Sequence, residues 1–146
     1  MINDNIQVTG QLGIVLTDEN GNVKEQHLHK NLVVTVGKAW IAARMKATGA
    51  PTEMTHMAVG TGTTAAADGN TALGAESARV SLSSAVSGAV VTYTASFPAG
   101  TGTAALTEAG IFNASSAGTM LCRTVFPVVN KGASDSMAIT WTVTVG

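Results

Sequence analysis

Charged and aromatic residues are scarce in this chain, and their scarcity narrows the functions it can have. Of its 146 residues, 12% are charged and 4% aromatic, whereas a typical soluble protein has about 25% charged residues. The net charge is −1 and no lysine–arginine cluster occurs, so we expect no nucleic-acid binding through a basic patch. A weakly charged surface repels its neighbours little, which fits a subunit covered by other subunits.

The chain also lacks disulfides and long apolar runs. Its single cysteine, Cys122, excludes an internal disulfide and lies in an apolar run, which favours a small core side chain over a nucleophile. No apolar run approaches the ~18 residues that a membrane-spanning helix needs, so we expect no membrane partner. The first residues have neither the basic start nor the apolar block of a signal peptide, so none is expected.

The last residues show the clearest pattern that is present. Large apolar side chains alternate there with alanine and threonine, and a two-residue period places each set on its own face of a strand. The threonines are expected on the outer face, since a branched Cβ suits a half-exposed pleated surface. The predicted core face consists of Met137, Ile139, Trp141, Val143 and Val145.

Similar patterns along the chain predict a mainly β protein. We expect about eight strands, one of them over 79–86, at the spacing of an antiparallel β-sandwich of jelly-roll or immunoglobulin-like type. Asn20-Gly21 predicts a hairpin turn, and the alanine-rich segment 38–47 predicts the one short helix. Residues 1–146 are expected to form a single domain, with 60–76 as a long surface loop and 1–5 as a contact arm.

Three segments resemble binding motifs only loosely. The segment Gly60–Ala65 has the glycine spacing of a dinucleotide fingerprint, but the fingerprint requires a helix that the all-β surroundings do not offer. His27 and His29 would share one face of a strand, yet no carboxylate accompanies them at ligand spacing. We expect an exposed polar edge there, with a metal at an oligomer axis as the alternative. Asp68-Gly69-Asn70 fits no EF-hand spacing, and we predict no cofactor and no metal.

Glu108 is the one carboxylate that stands between apolar neighbours. Burying it unpaired would be costly, and Arg79 and Arg123 also lie in apolar runs, so we predict a structural ion pair of Glu108 with one of them. Catalytic acid–base work would need a second positioned group, and no Gly-x-Ser-x-Gly nucleophile motif is present. We therefore predict that the chain is not an enzyme.

Several blocks share an order and spacing with a known class of proteins. The blocks are Asn31–Lys38, His56–Thr63, Asp68, Thr71–Leu73, Glu76, Arg79, Leu106–Phe112, Gly118–Leu121, Arg123, Phe126 and Asn130–Asp135. No block is a chemical motif, and the resemblance depends on their order. In that order, residues 31–146 resemble the small virion structural proteins of tailed bacteriophages and prophages.

The resemblance implies a β-sandwich component of the virion, made in the host cytoplasm. The hypothesis is a capsid cement or decoration protein that binds the major capsid protein or other virion proteins and self-associates as a dimer or trimer. A tail or tail-fibre component that attaches to the host is the alternative, and a carbohydrate-binding module or small hydrolase is a third possibility. The candidate interface residues are Gly60, Thr61, Gly62, Thr63, Asp68 and Asn70, together with Trp40 and Phe97 as aromatic anchors. Core packing is the favoured role for either aromatic residue.

Overall fold

A computed structural model describes residues 5–146 as one helix and nine strands. The predicted contact arm, residues 1–5, lies outside the described residues except for Asn5, which is exposed. The elements are β1 (Val8–Thr17), β2 (Val23–Val33), α1 (Thr35–Arg44), β3 (His56–Gly60), β4 (Glu76–Ser81), β5 (Ser83–Ser87), β6 (Val90–Phe97), β7 (Ala104–Phe112), β8 (Met120–Lys131) and β9 (Ser136–Val145).

The strands form one antiparallel sheet that curls into a nearly closed barrel. Its order is β4-β3-β7-β8-β2-β1-β9-β6-β5, so the edge strands β4 and β5 are neighbours along the chain. Only Leu82 separates them, and its backbone N–H donates to the carbonyl oxygen of Thr55 at 3.0 Å. One extended segment therefore pairs with β3 in its first half and with β6 in its second. The mainly β prediction is confirmed, and the jelly-roll or immunoglobulin-like type stays a prediction.

The single strand expected over 79–86 is wrong, because this segment changes partners at Leu82. Residues before Leu82 pair with β3, and residues after it pair with β6. Because the sheet is curled, its two edge strands β4 and β5 can lie on one extended segment of the chain. This division gives nine strands where the spacing predicted about eight.

The interior of the barrel is filled from both halves of the sheet. Met137, Ile139, Trp141 and Val143 of β9 are buried, as the alternation predicts. Val145 is 42% exposed, so its assignment to the core is wrong. It lies in the last pair of its strand, opposite Val8, where the wall of the barrel ends and little covers it.

Helix α1 packs closely against β8. It begins at Thr35 and ends at Arg44, about three residues before the predicted boundaries at each end. At Gly37 a Cβ atom would overlap the backbone carbonyl of Leu121, so only glycine allows this approach. The following residues Trp40 and Ile41 pack against the core, and the Trp40 indole N–H donates to the carbonyl oxygen of Thr52 at 2.9 Å.

Candidate functional site

Strand β7 is buried on both of its faces from Leu106 to Phe112. A register shift against β8 lies between Leu106 and Glu108, so Leu106 and Ala109 both face the core. Glu108 points instead beneath the segment 61–75, which follows β3 across the outside of the sheet. Its side chain is 0% exposed, which makes its hydrogen bonds decisive for the fold.

Five N–H groups converge on the Glu108 carboxylate. Oε2 accepts the backbone N–H groups of Gly62 at 2.6 Å and Ala75 at 2.7 Å. Oε1 accepts the backbone N–H of Gly74 at 2.7 Å and two guanidinium N–H groups of Arg123, at 2.9 and 3.1 Å. Charge-assisted hydrogen bonds of this length are among the strongest in proteins, so one carboxylate fastens both ends of the segment 61–75.

Arg123 fastens the middle of the same segment. Its side chain is 2% exposed and donates to the carbonyl oxygen of Thr64 and to Oδ1 of Asn70, each at 3.0 Å. The same Asn70 Oδ1 accepts the backbone N–H of Ala67 at 2.8 Å. We call Glu108, Arg123 and the segment 61–75 together the Glu108 latch.

Arg79, the other partner considered for Glu108, lies in a separate cluster. It forms an ion pair with Glu76 at 2.7 Å and donates to the carbonyl oxygens of Ala114 and Ala117, both at 2.9 Å. Its guanidinium carbon lies 3.9 Å from the centre of the Phe112 ring. Of the two candidate arginines, the structure brings Arg123 to Glu108 and directs Arg79 toward the turn after β7.

The glycines of Gly60-Thr61-Gly62 serve the latch. A Cβ atom at Gly62 would overlap the Glu108 carboxylate, and one at Gly60 would overlap the carbonyl of Ala75. The backbone N–H groups of a glycine-rich loop can cradle an anion, and here the anion is the chain's own carboxylate. This arrangement gives the fingerprint-like spacing a purely internal explanation.

The interface candidates fall into two groups. Phe97 is 0% exposed in the core, so its favoured role, core packing, is confirmed and it is not a contact residue. Gly60 is buried within β3, so it is wrong as a contact residue, and the loop runs over 61–75. The remaining candidates reach the surface to different extents. Thr61, Thr63 and Asp68 are exposed, while Trp40, Gly62 and Asn70 are half-buried.

His27 and His29 do not form the exposed edge that their spacing predicts. They are half-buried and lie opposite the core residues Ile14 and Leu12 of β1, so they share the inner face of the sheet. Their rings stack at 5.7 Å between centroids, and His29 stacks on Phe126 at 5.5 Å. Burial, together with the neighbouring His27, lowers the pKa of His29.

A second buried charge lies at the turn before β9. Lys131 is 2% exposed, and its ammonium group donates to the carbonyl oxygens of Asp135 at 2.7 Å and Pro98 at 3.0 Å. The Asp135 carboxylate accepts from Lys24 and from the backbone N–H of Gly132, each at 2.8 Å. These contacts join β2, the loop after β6 and the terminal turn. The segment Asn130–Asp135 carries no sequence signal for a buried ammonium group.

The Glu108 carboxylate is held in its ionised form. Burial alone would raise its pKa, but the N–H groups of Ala75 and Gly74, with Arg123 and Gly62, outweigh that effect and lower it. Both oxygens are engaged by donors within the chain. An ionised carboxylate is an acceptor only, so this group has no proton to donate near neutral pH.

The lowered pKa of Glu108 predicts loss of stability in acid. Because the folded pKa lies below the unfolded value, near 4.5, the carboxylate stabilises the fold fully above that pH. The contribution is lost as the pH falls through the folded pKa. Urea unfolding between pH 3 and 7 should show a midpoint that declines in acid and declines less in Glu108→Gln. A decline as steep in the variant as in the parent would contradict this assignment.

His29, Asp135 and Asp18 add acid sensitivity that remains in that variant, and the lowered pKa of His29 costs stability as the pH falls below its ordinary value of 6.5. The pKa of Asp135 is lowered by its bond to Lys24, and that of Asp18 by the backbone N–H of Asn22. All three groups contribute with the same sign as Glu108 and are present in the parent and the variant alike. The difference between the parent and the variant therefore isolates the latch.

The chain matches no protein-family model, no curated protein and no solved structure among those with which it was compared. Across residues 5–146, no three or more histidine, cysteine, aspartate or glutamate side chains are placed to hold a metal ion. No helix within that range is long and apolar enough to cross a membrane.

Proposed function

We propose that the chain is a structural subunit of a bacteriophage virion, a capsid cement or decoration protein. It binds the shell of major capsid protein and stabilises the particle through lateral contacts. The ordered blocks of residues 31–146 support this proposal. The finer fold assignment, a jelly-roll or immunoglobulin-like sandwich, belongs to the same proposal, as does location in the virion without nucleic-acid or membrane contacts.

The Glu108 latch is the observation that carries the proposal. It holds the segment 61–75 folded against β7 and β8, and Asp68 is the only charged residue in that segment. Thr61, Thr63 and Thr64 are exposed on it. A surface of small side chains that is already ordered loses little conformational freedom on binding, and it allows the close backbone approach of tightly packed neighbours.

The latch also supports a structural role over a chemical one. A site for catalysis presents groups to a substrate, whereas the carboxylate of Glu108 and the guanidinium of Arg123 are engaged within the chain. The buried Lys131 is likewise bonded to carbonyl oxygens of its own chain. The buried charges of this fold hold its loops in place through hydrogen bonds to their backbone groups. Loops held in this way suit a subunit of a particle that bears mechanical load.

The number of copies per particle tests the function. Quantitative mass spectrometry of purified virions should find hundreds of copies for a cement protein. A count of a few dozen or fewer would replace the cement role with the tail or tail-fibre role. Absence of the chain from purified particles would overturn the virion proposal itself.

The contact surface can be tested by adding the purified subunit back to particles that lack it. Thr61→Arg places a long charged side chain on the exposed segment and should lower occupancy on the particles. Thr140→Arg is the matched control, because Thr140 is exposed on the outer face of β9, away from the latch. Equal losses for the two variants would show that the segment 61–75 is not the contact surface.

A further inference from the structure

Strand β5 is a sheet edge without the usual protection. All five of its residues, Ser83 to Ser87, are exposed, and β6 is its only strand partner within residues 5–146. The backbone N–H and C=O groups on its other side are therefore directed away from the sheet. Edge strands usually carry charges, proline or bulges that discourage pairing with another chain, and Ser-Ser-Ala-Val-Ser has none of these.

The opposite edge of the sheet, strand β4, does carry charged residues. Strand β4 carries Glu76 and Arg79, which form an ion pair at 2.7 Å. Val86 on β5 is by contrast a large apolar residue that is 72% exposed. Its partner on β6, Val91, packs against the core, so Val86 continues the inner apolar face of the sheet to an uncovered margin.

We propose that β5 pairs antiparallel with β5 of a second copy of this chain, centred on Ala85. In that register Ser83 lies opposite Ser87 of the other copy, and Ser84 lies opposite Val86. A two-fold axis brings identical patches together, which requires a surface complementary to itself. The strand is nearly symmetric in side-chain size about Ala85 and carries no charge, so self-pairing opposes no like charges.

The pairing would extend the sheet of each copy across the axis. The unpaired backbone groups of β5 gain partners, and Val86 is covered by the strand of the other copy. A contact built on five residues per copy is small among specific interfaces, so we expect a weak dimer in solution. Many weak contacts together hold an assembly strongly.

This inference names the self partner of the proposed virion subunit and to that extent rests on the proposed function. Its test is made in solution and is separate from the count of copies per particle. A chain that dimerises but is absent from virions would retain this interface and lose the proposed function. A chain that is monomeric in solution but present in hundreds of copies per virion would retain the proposed function and lose this interface.

Opposite charges at position 85 give the sharpest test. Ala85 lies on the solvent face of β5, beside Thr92 of β6, so a long side chain fits there in the monomer. Ala85→Lys or Ala85→Glu alone would place like charges directly opposite each other at the axis. Sedimentation equilibrium should then show a dissociation constant raised about fivefold or more in each variant. An equimolar mixture should recover association, because Lys and Glu meet across the axis.

Thr94→Lys is the matched control, since Thr94 is exposed on β6, one strand in from the edge. It should associate like the parent. A parent chain that stays monomeric up to its solubility limit, or single-charge variants that dimerise as well as the parent, would overturn the proposal. Circular dichroism melts establish that each variant is folded.

Disulfide cross-linking tests the same strand register without the charge variants. Ala85→Cys should yield a disulfide-linked dimer under mild oxidation, because the two Ala85 residues face each other at the axis. The native Cys122 is buried and does not compete. Thr94→Cys should remain monomeric under the same conditions, and equal cross-linking of both variants would refute the register.

Discussion

Replacing Glu108 with glutamine should lower the free energy of unfolding by about 3–5 kcal/mol, the cost of breaking a buried charge pair from one side. The substitution keeps the shape of the side chain but leaves the Arg123 guanidinium buried without its counter-ion. It also turns an amide NH₂ group toward backbone N–H donors of Gly62, Gly74 or Ala75. Urea unfolding followed by circular dichroism at pH 7 measures the loss.

Glu76→Gln is the matched control for this experiment. The Glu76 carboxylate also pairs with an arginine, but the Glu76 side chain is 36% exposed while that of Arg79 is 8% exposed. Because water reaches this carboxylate and weakens the pair, we expect a smaller loss than at Glu108. The contrast separates a fully buried carboxylate from one that water reaches. Losses of similar size in the two variants would contradict the special role of Glu108.

The second large effect is expected at Trp141. Its ring is 0% exposed in the middle of the core, and replacing a buried tryptophan by alanine costs about 3–5 kcal/mol through lost burial and the cavity left behind. Trp141→Phe should cost much less. It retains an aromatic ring and removes an indole N–H that has no hydrogen-bond partner among the described residues.

Thr140→Ala provides the comparison on the other face of the same strand. Thr140 is exposed, and surface substitutions of this kind usually change stability by about 0.5 kcal/mol or less. Thermal or urea unfolding of the three variants measures the order. A Trp141→Ala protein of parental stability that fails to assemble would place the ring at an interface and contradict its burial.

Local patterns predicted the strands because alternation and turn chemistry act over few residues. A hairpin forms at Asn20-Gly21, where Gly21 has a φ of 85° but Asn20 has no positive φ, and Asp18 Oδ1 accepts the backbone N–H groups of Asn20 and Asn22. The alternation in β9 identified four buried residues correctly. It could not identify Val145 as exposed, because exposure there depends on where the opposite wall of the barrel ends.

The contacts of the candidate site depend on distant parts of the chain. Glu108 could be recognised as a carboxylate needing a partner, but the choice of Arg123 over Arg79 follows from the pairing of β7 with β8. The N–H groups of Gly62 and Gly74 come from 46 and 34 residues away. A glycine pattern indicates close approach of something to the backbone, and only the folded sheet shows what approaches.

The position of β1 has a consequence for how this chain folds during synthesis. Strand β1 lies between β2 and β9 and pairs with β9 over its whole length, from Val8 opposite Val145 to Thr17 opposite Ser136. Because β9 follows β1 late in the chain, β1 must wait for the synthesis of β9 before its second edge is paired. Contacts so far apart in sequence are slow to form. Until β9 emerges from the ribosome, the nascent chain presents the unpaired edge of β1 to its surroundings, and a chaperone that shields strand edges would bind there.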